Sequence, residues 1–366
     1  MNRQRIFYIT ETSLPSFSAN IINSLKFCEA LSEFRRIIFL LPKNEINSKK
    51  IFYQYNIRKK KIIFRSITRE KITSKIKKLI FLTKIISYLK INKLSKDLVI
   101  SRSILSSILL AFLSIKNVLE IHHDLTGLSK FLFKLLMLSK FKKNISFILI
   151  NKNLVLDLNI AKHKYIILDD ASDFKNRKKN SKYIKNTCVY VGSFYKGKGF
   201  ETILRISKIL PKVNFHLYGD ASVLKVNQKK DLNKNIKIKN RINYRHVPKI
   251  LSRYLIALMP YGDKIGGRSN NLEISRYISP LKMFDYLSAG NLIVASKLKP
   301  YSHVLKNNLN SFLVDNKKLV SWANIINKIF QNPKKYRKIR IEAVNTAKKY
   351  SWNNRAKKFI EFSYKI

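Results

Sequence analysis

Two short segments in the C-terminal half of the chain carry residue types that suit the binding of an anion. The first extends from Val191 to Gly199 and leads from a strand-like segment through a lysine- and glycine-containing turn into a predicted helix. Glycine lets the backbone approach an anion closely, and a helix N-terminus presents N–H groups and the positive end of a dipole. The segment matches neither the Walker pattern nor the dinucleotide-binding glycine fingerprint, so it also fits an ordinary turn.

The second segment, residues 279–290, has the pattern of a helix with defined ends. Ser279 is predicted as the N-cap, Pro280 lies in the first turn and Gly290 ends the helix as a C-cap would. The backbone amides near Leu281 and Lys282 would point at a bound anion, and Lys282 would add a full positive charge.

One turn after Leu281, the carboxylate of Asp285 could accept hydrogen bonds from a ribose diol. On spacing alone, Lys282 and Asp285 also fit the solvated face of an ordinary amphipathic helix. In the first half, His122 ends a predicted strand beside His123 and Asp124. None of the six histidines has metal-ligand spacing, so we predict no metal site, and His122 is either a site residue or a structural histidine.

The elements that must position these residues alternate between short apolar runs and helical patterns, which predicts parallel sheets with crossover helices. The chain of 366 residues is long enough for two such domains. A Lys/Asn-rich stretch, residues 175–186, is the predicted linker. We therefore predict an α/β protein with two Rossmann-like domains facing across a cleft, where ligands of such sheets bind.

The predicted strands and helices are as follows. In the first half, strands are predicted at 6–10, 37–41, 98–101, 118–121, 146–150 and 165–168, with helices at 19–34 and 103–115 and a surface strand and helix within 58–90. In the second half, strands are predicted at 188–191, 214–218, 236–238, 256–259 and 292–295, with helices at 200–210, 281–288 and, two or three of them, at 321–366.

The charge is strongly positive, with 74 Lys and Arg against 21 Asp and Glu, a formal net charge of +53. This excess fits attraction to an anionic membrane leaflet or to nucleic acid, and it also fits drift toward the Lys, Ile and Asn codons of an AT-rich genome. We do not expect a nucleic-acid partner, because the chain carries no zinc finger, aromatic RNA-binding signature or basic leucine-zipper region.

The chain shows no secretory signal, and its most apolar stretch, residues 103–115, is shorter than the roughly 20 residues of a membrane span. Cys28 and Cys188 lie far apart in apolar runs, which favours a reducing compartment. We predict a cytoplasmic protein, with peripheral contact at the inner face of the cytoplasmic membrane as one use of the charge.

Several segments, in the right order, resemble the family 4 glycosyltransferases. Val191-Gly192 and Lys198-Gly199 resemble the V-G-R-x-x-x-x-K-G turn of this family, and residues 279–290 resemble the S-P-L-K-x-F-E-Y-x-x-x-G form of its E-x(7)-E region. The remaining matches are Pro260-Tyr261, Tyr350-Ser351-Trp352 with Arg355, the segment 97–102, and Glu120-Ile121-His122.

The resemblance implies a retaining enzyme of the GT-B fold that moves a sugar from a nucleoside diphosphate, most commonly UDP, to an acceptor hydroxyl. Because the basic character of the chain suits a membrane surface, we expect the acceptor to be an envelope glycan or a lipid-linked molecule. It implies an acceptor-side domain at 1–180, a nucleotide-sugar domain at 187–345 and a C-terminal helix, 346–366, that returns to the first domain. No cofactor or metal is expected beyond the donor.

The implied site residues fall into two groups. His122, Lys198 and Lys282 would be catalytic, and the donor would contact Gly192, Ser193, Lys198, Gly199, Pro280, Leu281, Lys282 and Asp285. Two positions depart from the family pattern. Ser193 replaces an arginine that binds the donor phosphates, so Lys198 with Lys196 must supply that positive charge. Tyr277 replaces the first acidic residue of the E-x(7)-E region.

Three other functions fit the same sequence. A sugar-nucleotide epimerase shares this fold and would need no acceptor. A basic nucleic-acid-binding protein would use the net charge. An inactive homologue acting as a partner subunit would explain Ser193 and Tyr277.

Overall fold

The computed structural model describes residues 5–58, 61–173, 183–224, 232–266 and 273–366. The chain divides into two compact units. Unit 1 comprises Met1–Asp169 with Trp352–Ile366, and unit 2 comprises Asp170–Ser351. The predicted linker, residues 175–186, lies for the most part outside the described residues.

Unit 1 contains a seven-stranded parallel sheet with the strand order β3-β2-β1-β4-β5-β6-β7. Its strands are β1 (Arg5–Ile9), β2 (Arg36–Leu41), β3 (Ile62–Ser66), β4 (Leu98–Ser101), β5 (Asn117–Ile121), β6 (Ile145–Leu149) and β7 (Tyr165–Ile167). The helices between them are α1 (Ala19–Leu31), α2 (Ser48–Gln54), α3 (Lys75–Asn92), α4 (Ile104–Phe112), α5 (Gly127–Leu138) and α6 (Asn153–Asp157).

The central strands of unit 1 are mostly apolar and buried, as expected for a parallel sheet that helices cover on both faces. On one face, α3 and α4 bury Phe81, Ile85 and Leu110 against residues of β1, β2 and β4. The C-terminal helix of the chain, α12 (Trp352–Ser363), packs on α1, where the rings of Phe27 and Phe359 meet edge to face at 5.8 Å. Residues from the far end of the sequence thus complete the core of unit 1.

Unit 2 contains a six-stranded parallel sheet with the order β10-β9-β8-β11-β12-β13. Its strands are β8 (Thr187–Val191), β9 (Asn214–Tyr218), β10 (Ile236–Lys239), β11 (Ile256–Met259), β12 (Leu292–Ser296) and β13 (Phe312–Val314). Its helices are α7 (Phe200–Ile209), α8 (Val247–Leu251), α9 (Leu281–Ala289), α10 (Leu319–Gln331) and α11 (Arg337–Lys349).

One core of unit 2 forms where α7 and α10 pack together over the sheet, with Trp322 fully buried. The Trp322 indole N–H donates to the Asp315 carbonyl oxygen at 2.9 Å, so this large ring is buried without an unpaired polar atom. The strand order reverses direction between β8 and β11, because β9 lies on one side of β8 and β11 on the other. In open α/β sheets, ligands bind beyond the carboxyl ends of the strands at such a point.

The sequence predicts two parallel α/β sheets, and the structure confirms them. The predicted helices at the end of the chain are confirmed as α10, α11 and α12. The short edge strand β13 and helix α5 were not predicted. No helix among the described residues combines the length and apolar character needed to cross a bilayer.

The prediction that Ser279 is the N-cap of α9 is wrong by one residue. Pro280 occupies that position with extended dihedrals, and the Ser279 hydroxyl accepts a hydrogen bond from the Asp170 N–H at 3.2 Å instead. Gly290 is confirmed as the C-cap, since it adopts the left-handed conformation (φ 66°) that glycine accepts without strain.

Candidate functional site

The turn that follows β8 is held by the side chain of Tyr190 on that strand and by the backbone of the segment after β11. The Tyr190 hydroxyl donates to the Ser193 carbonyl oxygen at 2.7 Å and lies 3.0 Å from the Lys198 carbonyl oxygen. On the other side, the Gly262 N–H donates to the Gly197 carbonyl oxygen at 3.0 Å. The turn, residues 192–199, follows β8 at the point where the strand order reverses, and these hydrogen bonds hold its backbone there.

Two glycines in this turn cannot be replaced without strain. Gly197 has φ +74°, and a Cβ there would come within 1.9 Å of the Lys264 carbonyl oxygen. Gly199, the N-cap of α7, has φ +101°, and a Cβ there would come within 2.5 Å of the Pro260 carbonyl oxygen. Both glycines allow the turn to pack closely against the segment after β11.

Lys282, in the first turn of α9, directs its ammonium group toward the same turn. Its Nζ lies 3.6 Å from the centroid of the Tyr190 ring and 5.3 Å from that of Tyr261. The Nζ is buried, and no described residue accepts a hydrogen bond from it. A Cβ at Gly192 would lie 2.4 Å from this atom, so glycine at 192 leaves the space that the ammonium group fills.

Lys198 brings a second positive charge to the same aromatic ring. Its Nζ lies 5.4 Å from the centroid of Tyr261. Burial lowers the pKa of Lys198 to about 8. Burial, with the nearby charge of Lys198, also holds the pKa of Lys282 well below its usual value. Since a buried charge without a partner is costly, the site favours any anion that contacts both ammonium groups.

Buried tyrosines form the wall behind the two lysines. The Val191 N–H donates to the Tyr286 hydroxyl oxygen at 2.9 Å, which ties α9 to the end of β8. Burial raises the pKa values of Tyr190, Tyr261 and Tyr286, so these phenols are neutral at physiological pH. Their ring faces offer cation–π stabilisation to the ammonium groups. Tyr261 and Tyr286 belong to segments that the sequence singled out, Pro260-Tyr261 and residues 279–290, whereas Tyr190 does not.

The start of α9 adds backbone donors to the site. The first N–H groups of a helix have no acceptor within the helix, and here they belong to Leu281 and Lys282. The carboxylate of Asp285, one turn later, accepts a hydrogen bond from the Tyr244 hydroxyl at 3.0 Å. Sequence analysis did not identify Tyr244, which no motif marks. Lys196 is exposed, and its carbonyl oxygen accepts the Gly266 N–H at 3.1 Å.

His122 belongs to unit 1 and lies in a buried polar network. Its Nε2 is 2.9 Å from Oε1 of Glu120, a carboxylate that is completely buried at the end of β5. The same oxygen accepts from Arg355 Nη2 at 2.9 Å, and Oε2 accepts from the Tyr8 hydroxyl at 2.7 Å. Arg355 also donates to the carbonyl oxygens of Leu168 and Asp169. The Arg355 of the W-x-x-R ending is therefore a structural partner of Glu120.

The charges in this network set the protonation state of His122. Burial and the charge of Arg102 lower the pKa of His122 to about 3, against the opposing effect of Glu120. Burial raises the pKa of Glu120, but the charge of Arg102 and the hydrogen bond from His122 outweigh it and hold that pKa well below its usual range. The imidazole is therefore neutral, Nε2–H donates to the carboxylate, and Nδ1 keeps a lone pair that can accept a hydrogen bond.

The structure thus brings together Gly192, Ser193, Lys198, Gly199 and the start of α9 within unit 2. His122 lies in unit 1. Within the described ranges, no group of three or more His, Cys, Asp or Glu side chains could hold a metal ion.

Residues 172–346 match the family model described as glycosyl transferases group 1. No curated protein sequence matches the chain.

Solved structures with the same fold include a glycosyltransferase from Rickettsia africae, with a TM-score of 0.72, 14% identity and coverage of 99% of this chain and 98% of the other. Another is HepE from Anabaena in complex with UDP-glucose, with a TM-score of 0.69, 13% identity and coverage of 99% and 100%. A third is TarM, with a TM-score of 0.74, 12% identity and coverage of 99% of both chains. At these identities the likeness shows the fold, which is GT-B.

The neutral state of His122 gives a stability prediction with a definite sign. Its pKa is lowered in the folded protein, so the unfolded chain binds a proton that the folded chain does not. Stability is then complete above the unfolded pKa of about 6.5 and decreases as the pH falls from there toward about 3. Between pH 7.5 and pH 5 we expect this residue alone to cost on the order of 2 kcal/mol.

The measurement is urea unfolding of unit 1, followed by the fluorescence of Trp352, at both pH values. The variant His122→Gln keeps an N–H donor for Glu120 but does not titrate, so it should lose about 2 kcal/mol less than the native protein on acidification. His246→Gln, on an exposed histidine, should behave as the native protein does. Equal acid sensitivity of the native protein and His122→Gln would contradict a neutral buried imidazole.

Proposed function

Because residues 172–346 match the family model of the glycosyl transferases group 1, we propose that the chain transfers a sugar from a nucleoside diphosphate donor to an acceptor hydroxyl. The observation that carries this proposal is the buried ammonium group of Lys282, which has no hydrogen-bond acceptor among the described residues. UDP is the proposed nucleotide, supported by HepE, whose structure contains UDP-glucose.

In this proposal, Lys282 and Lys198 bind the diphosphate. As the bond from the sugar to the phosphate breaks, negative charge grows on the leaving diphosphate. Two ammonium groups that already lie near one ring, with the first N–H groups of α9, stabilise that charge without reorganising. Both lysines would be fully protonated in the complex, because a bound anion removes the penalty that lowers their pKa values.

The same geometry accounts for Ser193, where the family pattern has an arginine. Lys282 Nζ fills the space beside Gly192, one residue before the serine. We propose that Lys282 supplies the charge that Ser193 does not. The sequence suggested Lys196 as a source of this positive charge, but the side chain of Lys196 is exposed.

The remaining site residues have proposed roles of their own. Asp285, held by the Tyr244 hydroxyl, would accept hydrogen bonds from the ribose diol. Gly192, Gly199, Pro280 and Leu281 would allow the backbone to approach the phosphates. His122, neutral and oriented by Glu120, would contact the donor sugar through Nδ1. We propose retention of anomeric configuration, with attack on the face that the diphosphate leaves and with no cofactor beyond the donor.

The proposed acceptor is a glycan or a lipid-linked sugar of the cell envelope. Support comes from the structural neighbours, since WaaG, a glycosyltransferase involved in lipopolysaccharide biosynthesis, has the same fold with a TM-score of 0.65 and 10% identity. The net charge of +53 is compatible with work at the inner face of the cytoplasmic membrane.

A thermal-shift panel of UDP, GDP, ADP and CMP tests the donor site. The preferred nucleotide at 100 times its dissociation constant should stabilise the protein by about 2.7 kcal/mol. Lys282→Met should abolish that shift, because it removes the charge and keeps the volume. Lys249→Met, on an exposed lysine of α8, serves as the matched control and should keep it. Equal shifts for every nucleotide, insensitive to Lys282→Met, would show nonspecific charge binding.

Nucleotide binding should also take up protons at alkaline pH. At pH 8 about half of the free protein lacks the proton on Lys198, and the bound phosphates restore it. Titration calorimetry with UDP at pH 8, in two buffers of different ionisation enthalpy, measures the number of protons. We expect a net uptake of about half a proton or more, since Lys282 contributes in the same direction. A binding enthalpy independent of the buffer would contradict direct contact between these lysines and the phosphates.

Product analysis separates a transferase from an epimerase. The preferred sugar nucleotide should be consumed only when a lipid-linked or glycan acceptor is added, apart from slow hydrolysis. The anomeric coupling constant of the product, measured by NMR, should match that of the donor. Formation of a new sugar nucleotide without acceptor would identify an epimerase instead.

A further inference from the structure

Helix α5 presents large apolar side chains to solvent along one side. Four residues separated by three, four and three positions lie within one narrow sector of the helix. Their exposed fractions are 63% for Leu128, 58% for Phe131, 43% for Leu135 and 84% for Leu138. We refer to these four residues as the α5 stripe.

The fold does not need the α5 stripe. The opposite side of the helix provides Phe133 and Leu136, which are buried, and Phe133 meets the ring of Phe147 on β6 at 5.9 Å. α5 also packs against α4. Exposed apolar residues that occur singly need no explanation, but four on one side of a single helix mark an interaction surface.

Positive charge borders the stripe. Lys130 and Lys134 lie along one side of it, and the helical segment that follows α5 continues the charge. The exposed lysines of the region are Lys130, Lys134, Lys140, Lys142 and Lys143. The sequence has no acidic residue between Asp124 and Asp157. Within the described ranges, the one ion pair that these lysines form joins Lys130 to Asp124 at 3.4 Å.

We propose that the α5 stripe inserts into the surface of an anionic phospholipid bilayer, with α5 lying parallel to the membrane plane. An amphipathic helix binds in this way when its apolar side enters the boundary between head groups and acyl chains and its lysines contact anionic head groups. The positive charge favours an anionic lipid surface over other partners, because the apolar side chains lie next to several lysines in a segment that contains no Asp or Glu.

The α5 stripe belongs to unit 1, whereas Lys198 and Lys282 belong to unit 2. The proposal therefore stands without the proposed transferase activity. It would place a lipid-linked acceptor within reach of the protein, but its test measures membrane binding alone.

Flotation of the full chain with vesicles tests the proposal. The native protein should float with vesicles of phosphatidylcholine and phosphatidylglycerol, and should remain below vesicles of phosphatidylcholine alone. Phe131→Ser with Leu135→Ser should weaken binding by about tenfold or more, since burying one such side chain is worth roughly that factor. The matched control is Leu309→Ser with Val320→Ser, on two exposed apolar residues of unit 2 (53% and 63% exposed), which should bind as the native protein does.

Charge and insertion are measured separately. Lys130→Glu with Lys134→Glu should weaken binding more than Lys334→Glu with Lys335→Glu, a pair of exposed lysines in unit 2 with the same change in net charge. In Phe131→Trp, the tryptophan emission should shift to shorter wavelength with anionic vesicles, because the indole enters an apolar medium. Trp322 and Trp352 are buried and give a constant background.

Three results would overturn the proposal. One is unchanged vesicle binding by the Phe131→Ser, Leu135→Ser variant, which would mean that the net charge alone attracts the protein. The second is no shift in emission from Phe131→Trp. The third is self-association of the native protein that this double variant abolishes, which would assign the stripe to contact with a second copy of the chain. Circular dichroism and the thermal unfolding midpoint of each variant serve as folding controls.

Discussion

The geometry of unit 2 is organised around an ammonium group that is buried without a hydrogen-bond acceptor. A charge in this position costs free energy, and for this reason the pKa of Lys282 lies well below its usual value in the free protein. The Tyr190 ring lies against it, Gly192 leaves space for it, and the Tyr286 hydroxyl holds the end of β8 beside α9. A bound anion favours the protonated form of the lysine, so the residues around Lys282 determine both its protonation state and the affinity of the site for an anion.

Unit 1 contains a buried carboxylate that, in contrast to the lysine of unit 2, has hydrogen-bond partners within the protein. Glu120 is satisfied by Arg355, Tyr8 and His122, and Arg355 comes from the last helix of the chain. Removing one partner of such a group is costly because the remaining charge stays buried. The network fixes the orientation and the neutral state of His122, and it also ties α12 to the end of β7 through the carbonyl oxygens of Leu168 and Asp169. The buried carboxylate of unit 1 therefore has several hydrogen-bond partners, whereas the Nζ of Lys282 in unit 2 has no acceptor among the described residues.

Sequence patterns were sufficient for the two sheets, because apolar runs of four or five residues repeat with crossover helices between them. Sequence patterns also identified Lys198, Lys282 and the glycines Gly192 and Gly199 as candidates, since turns and helix starts have local sequence signatures. They could not give Tyr190 or Tyr244, because an aromatic residue inside or beside a strand has no pattern that separates a core ring from one that contacts a functional side chain. Nor could they find Ser279 bonded to Asp170, since that contact joins residues far apart in sequence.

The formal charge of +53 does not by itself distinguish function from codon bias, but the environment of each lysine does. A solvated lysine costs little and can accumulate by drift. Lys282 is buried against aromatic rings, and Lys130 and Lys134 border exposed leucines and a phenylalanine. These positions carry a free-energy cost, of desolvation in one case and of exposed apolar surface in the other. Drift in composition accounts for many lysines, but it does not account for the apolar stripe between them or for a cation held away from water.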